Sequence, residues 1–264
     1  MQIKEITSSA NSVLKQVRAL EDRTERKESG LFLVEGRTLI EEALRKKIEL
    51  DNVVTTRSFI DDEIDPKLTA SLPTINIVSD AVFKTLYTTS TSCGIIATAV
   101  QPKWRFEQCF SPSQPLIVVG DQIQDPGNLG TIMRNCLAFG VDSIVLSKGS
   151  VDCFSPKVVR SSMGAIFDLP IVQEVDMEFC LNEIGKHNVI PVALDPGGSS
   201  SYWELDSSGS VALIFGNEGN GLSQIVRDQV STLLKIPINS NCESLNVAVS
   251  VGIVLAHLHK QRHR

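Results

Sequence analysis

The amino-acid sequence predicts an α/β protein in two parts, and three observations carry that prediction. Short apolar runs alternate with segments of helical spacing from residue 30 almost to the last residue. The alternation breaks at VQPKWRFEQCFSPSQP, residues 100–115, which holds three prolines and no period. The 264 residues, 42% apolar and 21% charged, are enough for one large hydrophobic core or two ordinary ones.

Residues 1–100 read as a small α/β domain. LFLVEG at 31–36 has the composition of a buried strand. RTLIEEALRKK follows with Leu39, Ile40, Ala43 and Leu44 at helical spacing, and LDNVVTT returns to strand character. TINIVSDAVFKTLYTT and GIIATAV repeat the rhythm. Residues 101–114 are the expected linker. Residues 115–264 then form the second domain, with strands at LIVVGD, SIVLS, LPIVQEV, VIPVALD, VALIFGNE and LLKIPI. Helices are expected at 127–139, 155–164, 176–187, near 222–230, and in the closing run LNVAVSVGIVLAHL. Apolar strands alternating with helices specify a mostly parallel sheet with helices on both faces, and such sheets bind ligands beyond the carboxyl ends of their strands.

Composition narrows the functional classes. No apolar run approaches the roughly 20 residues that span a bilayer, and MQIKEITSSANS lacks the apolar core of a secretory signal. Cysteines at 93, 109, 136, 153, 180 and 242 include no Cys-x-x-Cys and have no histidine at ligand spacing, so neither a metal site nor a disulfide framework is expected. A reducing, cytoplasmic setting follows as the expectation. The net charge of −6 argues against wholesale electrostatic binding of nucleic acid. Lys15, Arg18, Arg23, Arg26 and Lys27 nevertheless crowd the first thirty residues, interleaved with Glu21, Asp22, Glu25 and Glu28, and Lys260, Arg262 and Arg264 end the chain. These charges read either as solvated surface or as contacts to a polyanion.

Three stretches of the second domain follow strands and so fall where a ligand would sit. In DPGNLGTIMRN, Asn128 is a candidate helix N-cap, and Arg134 is the only charged side chain between Asp125 and Asp142. It either pairs with a carboxylate on a neighbouring element or is kept for an anion or hydroxyl of a substrate. In VALIFGNEGNGLS, the glycines at 216, 219 and 221 match neither the dinucleotide fingerprint nor a phosphate loop, but they allow backbone to approach a bulky ligand. In IPINSNCESLNVAVSVGIVLAHL, Ser244 and Asn246 stand beside the free amides of an apolar helix, as caps or as the edge of a pocket.

Taken in order, NLGTIMR, IFGNEGNGLS and IPI followed by ESLNVAVSVGIVLAHL resemble the three motifs of the SpoU/TrmH family of RNA ribose 2′-O-methyltransferases, within the SPOUT superfamily, over residues 116–258. ITSSANSVLKQVRAL followed by GLFLVEGRTLIEEAL resembles the substrate-binding domain of the rRNA members. The resemblance implies a C-terminal trefoil knot, S-adenosylmethionine as cofactor, and methyl transfer to a ribose 2′-hydroxyl of RNA, with ribosomal RNA favoured by the N-terminal domain. It assigns Leu194, Asp195, Gly216, Ile236 and Leu245 to the cofactor, and Arg134, Asn128, Glu218, Ser244 and Asn246 to the catalytic site. It also implies a homodimer in which one protomer can complete the site of the other.

Arg23, Arg26, Lys27 and Arg160, the last in VVRSSMGAIFDLPI, are the candidate RNA contacts. Because a guanidinium is permanently protonated, a clamp on phosphate or hydroxyl suits Arg134 better than the role of general base. The alternatives left open are a tRNA ribose methyltransferase, a non-catalytic RNA-binding protein of the same fold, and a nucleotide-dependent oxidoreductase, against which the missing glycine fingerprint speaks.

Overall fold

The structure, a computed structural model, describes residues 2–63, 71–72, 74–87, 93–206 and 208–263. The end of the expected helix in TINIVSDAVFKTLYTT, from residue 88, and the basic Arg264 lie outside them. Two compact units divide the chain: Met1–Pro102 with Phe154–Phe167, and Lys103–Cys153 with Asp168–Arg264.

The first unit opens with β1 (Gln2–Glu5), α1 (Ser12–Ala19) and α2 (Arg23–Ser29), followed by β2 (Leu31–Glu35), α3 (Arg37–Arg45) and β3 (Leu50–Thr56). It continues through α4 (Arg57–Glu63), β4 (Thr74–Val78), α5 (Asp80–Phe83) and β5 (Ile95–Val100). Among the described residues the sheet order is β1-β4-β3-β5-β2, parallel across β1, β4 and β3 and antiparallel at β5 and β2. Leu14, Val17 and Leu20 of the α1 region pack with Leu33, Val54, Phe83 and Ile96 in the core.

Arg26 departs from its sequence expectation. It is 3% exposed, and its Nη1 donates at 2.8 Å to the carbonyl oxygens of both Leu20 and Glu21, so it fastens the turn between α1 and α2 and does not present its charge to RNA. Its neighbours Arg23 and Lys27 are exposed.

In the second unit, β6 (Leu116–Gly120), α6 (Pro126–Ala138) and β7 (Ser143–Ser147) come first. Then α7 (Pro156–Ser162) belongs to the first unit, a difference from the contiguous division at 101–114 expected from sequence. The reason is local chemistry. Phe154 and Phe167 bring their rings to 5.0 and 6.4 Å from that of Phe32 on β2, and Arg160 donates to both carboxylate oxygens of Glu35 at 2.8 and 2.9 Å. Arg160, a candidate RNA contact, is thus committed to Glu35, whose side chain is only 3% exposed.

Burial pushes the Glu35 carboxyl above its ordinary value of 4.5, and Arg160 opposes the shift. A raised folded-state pKa means that this group's contribution to stability is complete below the ordinary carboxylate pKa and is lost as pH rises through the raised one. Arg160→Ala removes the counter-charge and is expected to destabilise the first unit by about 3 kcal/mol. The loss should be larger at pH 8 than at pH 5, as urea unfolding at the two pH values would show.

The second unit continues with β8 (Ile171–Val175), α8 (Met177–Lys186), β9 (Ile190–Leu194), β10 (Ser200–Ser201), β11 (Val211–Phe215), α9 (Gln224–Gln229), β12 (Thr232–Lys235) and α10 (Val247–Arg262). The sheet order is β10-β12-β9-β11-β6-β7-β8, and every named pair is parallel. Ile117, Val119, Ala212 and Ile214 face a core shared with Cys180, Ile184 and Val226 of α8 and α9. The alternate residues Val118 and Leu213 are equally buried on the opposite face, as the period of two requires. The expected linker is not wholly irregular, because Phe106–Phe110 forms a 3-10 turn whose Phe106, Cys109 and Phe110 join this same core. No helix among the described residues is long and apolar enough to cross a membrane.

Candidate functional site

The carboxyl ends of β9, β11 and β12 and the N-terminus of α10 surround a cavity of about 610 Å³ in the second unit. Leu194, Phe215, Leu222, Ile236 and Leu245 give it apolar walls, and Asn128, Asp195, Glu218, Ser244 and Asn246 supply polar groups. The volume is that of a small-molecule site, and its lining mixes apolar walls with many polar groups, as a ligand with both an apolar ring and polar arms requires.

The glycine loop after β11 is shaped by its own backbone. Asn217 N–H donates to the Gly221 carbonyl at 2.9 Å and Gly221 N–H returns the bond at 3.0 Å, closing a tight turn. Inside it, the Asn217 Oδ1 accepts from the amides of Gly219 and Asn220 at 2.8 and 2.9 Å, while Nδ2 donates to the Gln122 carbonyl at 2.8 Å. A Cβ on Gly216 would lie 2.5 Å from both the Gly221 oxygen and the Leu222 nitrogen. Glycine is therefore required at 216 by the returning chain, whereas the sequence had suggested the approach of a ligand. Gly221, at φ +69°, occupies the left-handed region that favours glycine.

Asn128 is not the N-cap of α6. Asp125 holds that position, accepting from the Asn128 amide at 2.8 Å, and Pro126 opens the first turn, where its missing N–H costs nothing. Asn128 is thereby freed for another task. Its Nδ2 donates to Glu218 Oε1 at 3.0 Å, and its Oδ1 accepts from Asn246 Nδ2 at 2.9 Å. Asn246 in turn caps α10, its Oδ1 accepting from the amides of Ala248 and Val249 at 2.9 and 3.3 Å.

Because a carboxylate only accepts and helix amides only donate, both side-chain amides have a single workable orientation, and the chain Glu218–Asn128–Asn246 runs one way. Glu218 also accepts from the Gln124 and Asp125 amides at 3.3 Å. The relay locks the glycine loop, the start of α6 and the start of α10 into one wall.

The cavity thus brings together Asn128, Leu194, Asp195, Gly216, Glu218, Ile236, Ser244, Leu245 and Asn246. Arg134 does not line it. Leu129, Met133 and Cys136 form the buried stripe of α6, and Arg134 is exposed on another face with Thr131 and Ala138. The exposed apolar residues Leu137, on α6, and Val249, on α10, belong to two helices joined by the bond from Asn135 Nδ2 to the Ala248 carbonyl at 2.9 Å. Sequence reasoning missed Asn217, although an asparagine directly after the glycine that ends a strand is a signal for a side-chain-closed turn. No cluster of three or more metal-ligating side chains occurs among the described residues.

Fold and cavity together define an α/β protein whose ligand site is built from strand-end loops and the start of its last helix. The SpoU rRNA Methylase family model matches residues 115–256 and the MRM3-like substrate binding domain matches residues 11–97. The chain belongs to the SpoU rRNA methylase family. An uncharacterized tRNA/rRNA methyltransferase of Synechocystis sp. is 34% identical, with 98% of this chain and 95% of that protein covered. The 23S rRNA (guanosine(2553)-2′-O)-methyltransferase RlmP of Bacillus subtilis is 31% identical over 97% of this chain and 99% of its own length. The crystal structure of an AdoMet-bound rRNA methyltransferase from Sinorhizobium meliloti superposes with a TM-score of 0.84 at 28% identity, covering 98% of each chain.

Proposed function

We propose that this protein methylates a ribose 2′-hydroxyl of ribosomal RNA, using S-adenosylmethionine held in the cavity between β9, β11, β12 and α10. The observation that carries the reading is the convergence there of apolar walls, backbone-lined turns and the Glu218–Asn128–Asn246 relay. The residues fit the cofactor: Leu194, Phe215, Ile236 and Leu245 suit the faces of an adenine ring, and the turns at 195–198 and 216–221 offer backbone donors and acceptors to its edge. When bound, S-adenosylmethionine supplies a methyl group already activated by its sulfonium.

Asn128, Glu218, Ser244 and Asn246 shape the wall facing the target nucleotide. Arg134, permanently protonated, grips the phosphate beside the target ribose and orients its hydroxyl. Since Arg134 lies outside its own chain's cavity, it serves that of a second copy, and the exposed Leu137 and Val249 are the apolar surface through which two copies meet. Residues 1–100 act as the RNA substrate domain, with Arg23 and Lys27 among its exposed cations. Residues 101–114 link it to a methyltransferase domain at 115–264, from which the segment 154–167 departs to join the first unit. The C-terminal segment is read as threaded into a trefoil knot, as the resemblance to the SpoU/TrmH family implies. A cytoplasmic location completes the reading.

Purified protein with methyl-labelled S-adenosylmethionine should label ribosomal RNA and not transfer RNA, and mapping of ribose methylation in cells with and without the protein should reveal a single lost site. Labelling of transfer RNA alone would transfer the assignment to that substrate, and binding of the cofactor with no RNA labelled would leave only an RNA-binding role.

A further inference from the structure

Arg227, on α9, lies outside the residues that line the cavity, yet it joins two of the cavity's walls. Its Nη2 is 2.8 Å from Asp195 Oδ2, and its Nε donates to the Leu222 carbonyl at 3.3 Å. The guanidinium rests against the turn at Gly221, where an added Cβ would lie 3.4 Å from Nη2. Asp195 uses its other oxygen to accept from the Gly197 amide at 2.8 Å, which closes the turn after β9. That turn is pressed onto β12, because a Cβ on Gly198 would stand 2.6 Å from the Leu234 carbonyl carbon. β9 and β11 are neighbouring strands in parallel register, so the 195–198 turn and the 216–222 loop leave the sheet side by side. Both line the cavity through Leu194, Asp195, Gly216 and Leu222.

The Asp195 side chain is only 11% exposed while that of Arg227 is 40% exposed. A carboxylate so enclosed needs a counter-charge, and without one it turns outward or draws water into the wall. The planar fork of arginine suits the bridge, since it presents donors to a carboxylate and to a carbonyl at once, whereas the ammonium of lysine is a single point charge.

We infer that Arg227 is a positioning residue for the cofactor: its bridge between Asp195 and the Leu222 carbonyl holds the turn after β9 and the loop after β11 at the separation that admits the methyl donor. The inference rests on the reading of the cavity as the S-adenosylmethionine site. It adds to that reading a residue whose only route to the ligand is through Asp195 and the glycine loop.

Calorimetric titration of the full-length protein with S-adenosylmethionine, together with the melting temperature of the free protein, tests it. Arg227→Gln should weaken binding about tenfold, the equivalent of 1.4 kcal/mol, while the free protein melts within about 2 °C of the unaltered chain. Arg227→Lys should recover part of the loss. In Asp195→Asn/Arg227→Gln, a neutral pair can form with the glutamine amide donating to the asparagine oxygen, and the double variant should bind no more weakly than the weaker of the two single variants. Unchanged affinity in Arg227→Gln, or Asp195→Asn and Arg227→Gln effects that multiply independently, would overturn the inference alone. If the unaltered protein itself failed to bind S-adenosylmethionine, the cavity reading would fall and the inference with it.

Discussion

Arg134→Ala is expected to lower methyl transfer by about a thousandfold and to leave the affinity for S-adenosylmethionine within about twofold, the scale of removing one charged group that acts in the transition state. The separation of the two effects follows from position. Arg134 is exposed and does not line the cavity of its own chain, so its loss disturbs neither the apolar walls nor the Glu218–Asn128–Asn246 relay. An exposed helical position also costs little in stability on truncation, within about 0.5 kcal/mol. Labelled-methyl transfer and calorimetric titration read the two quantities separately.

The same variant distinguishes service within a chain from service across a dimer. Arg134→Ala should be inactive in either case, and so should Ile236→Trp, whose larger side chain would fill the cavity that Ile236 lines. When the two are co-expressed, a mixed dimer regains one working site only if the arginine of one chain reaches the cavity of the other. Recovery of about a quarter of the unaltered activity is the expected outcome for random pairing, since mixed dimers form half the population and carry one good site each. No recovery in demonstrably mixed dimers would sink the cross-chain assignment.

Gly216→Ala is expected to destabilise the second unit by about 3 kcal/mol and to abolish cofactor binding, because the added Cβ meets the Gly221 oxygen and the Leu222 nitrogen at 2.5 Å, and both are main-chain atoms with no rotamer to yield. Gly219→Ala is the matched control. The atom nearest to a Cβ there is the Asn217 Oδ1 at 3.5 Å, an ordinary contact, so folding should survive. Thermal unfolding of the two variants side by side, followed by titration with S-adenosylmethionine, checks both statements.

The strands of the second unit were the most legible part of the chain. Leu116–Gly120, Ser143–Ser147 and Val211–Phe215 are buried at every position, and strands covered on both faces write themselves as unbroken apolar runs. β1 escaped notice because Gln2–Glu5 is mostly polar and lies at the edge of its sheet. The helix α6 begins within one residue of its expected start, but its cap is Asp125, three residues before the expected Asn128, because Asn and Asp are equally good caps. Only the proline at 126, which fits the first helical position, separates them.

Arg26 looked like part of a solvated charge run, since nothing local announces that its side chain turns back to the carbonyls of Leu20 and Glu21. At the candidate site, the three motifs named the loops that surround the cavity, but the contacts between loops were not readable. The Glu218–Asn128 bond spans ninety residues and the Asn246–Asn128 bond 118, distances at which spacing carries no information. Arg227 and Asp195 met for the same reason without any trace in the local pattern.

The return of Phe154–Phe167 to the first unit sets the order in which the protein can mature during synthesis. Phe32 lacks the rings of Phe154 and Phe167, and Glu35 its cationic partner, until residue 167 has left the ribosome, by which time β6, α6 and β7 of the second unit have already emerged. Truncation after Pro102 is therefore a poor way to isolate the N-terminal unit, and a graft of that unit onto another methyltransferase has to carry two separate segments of chain.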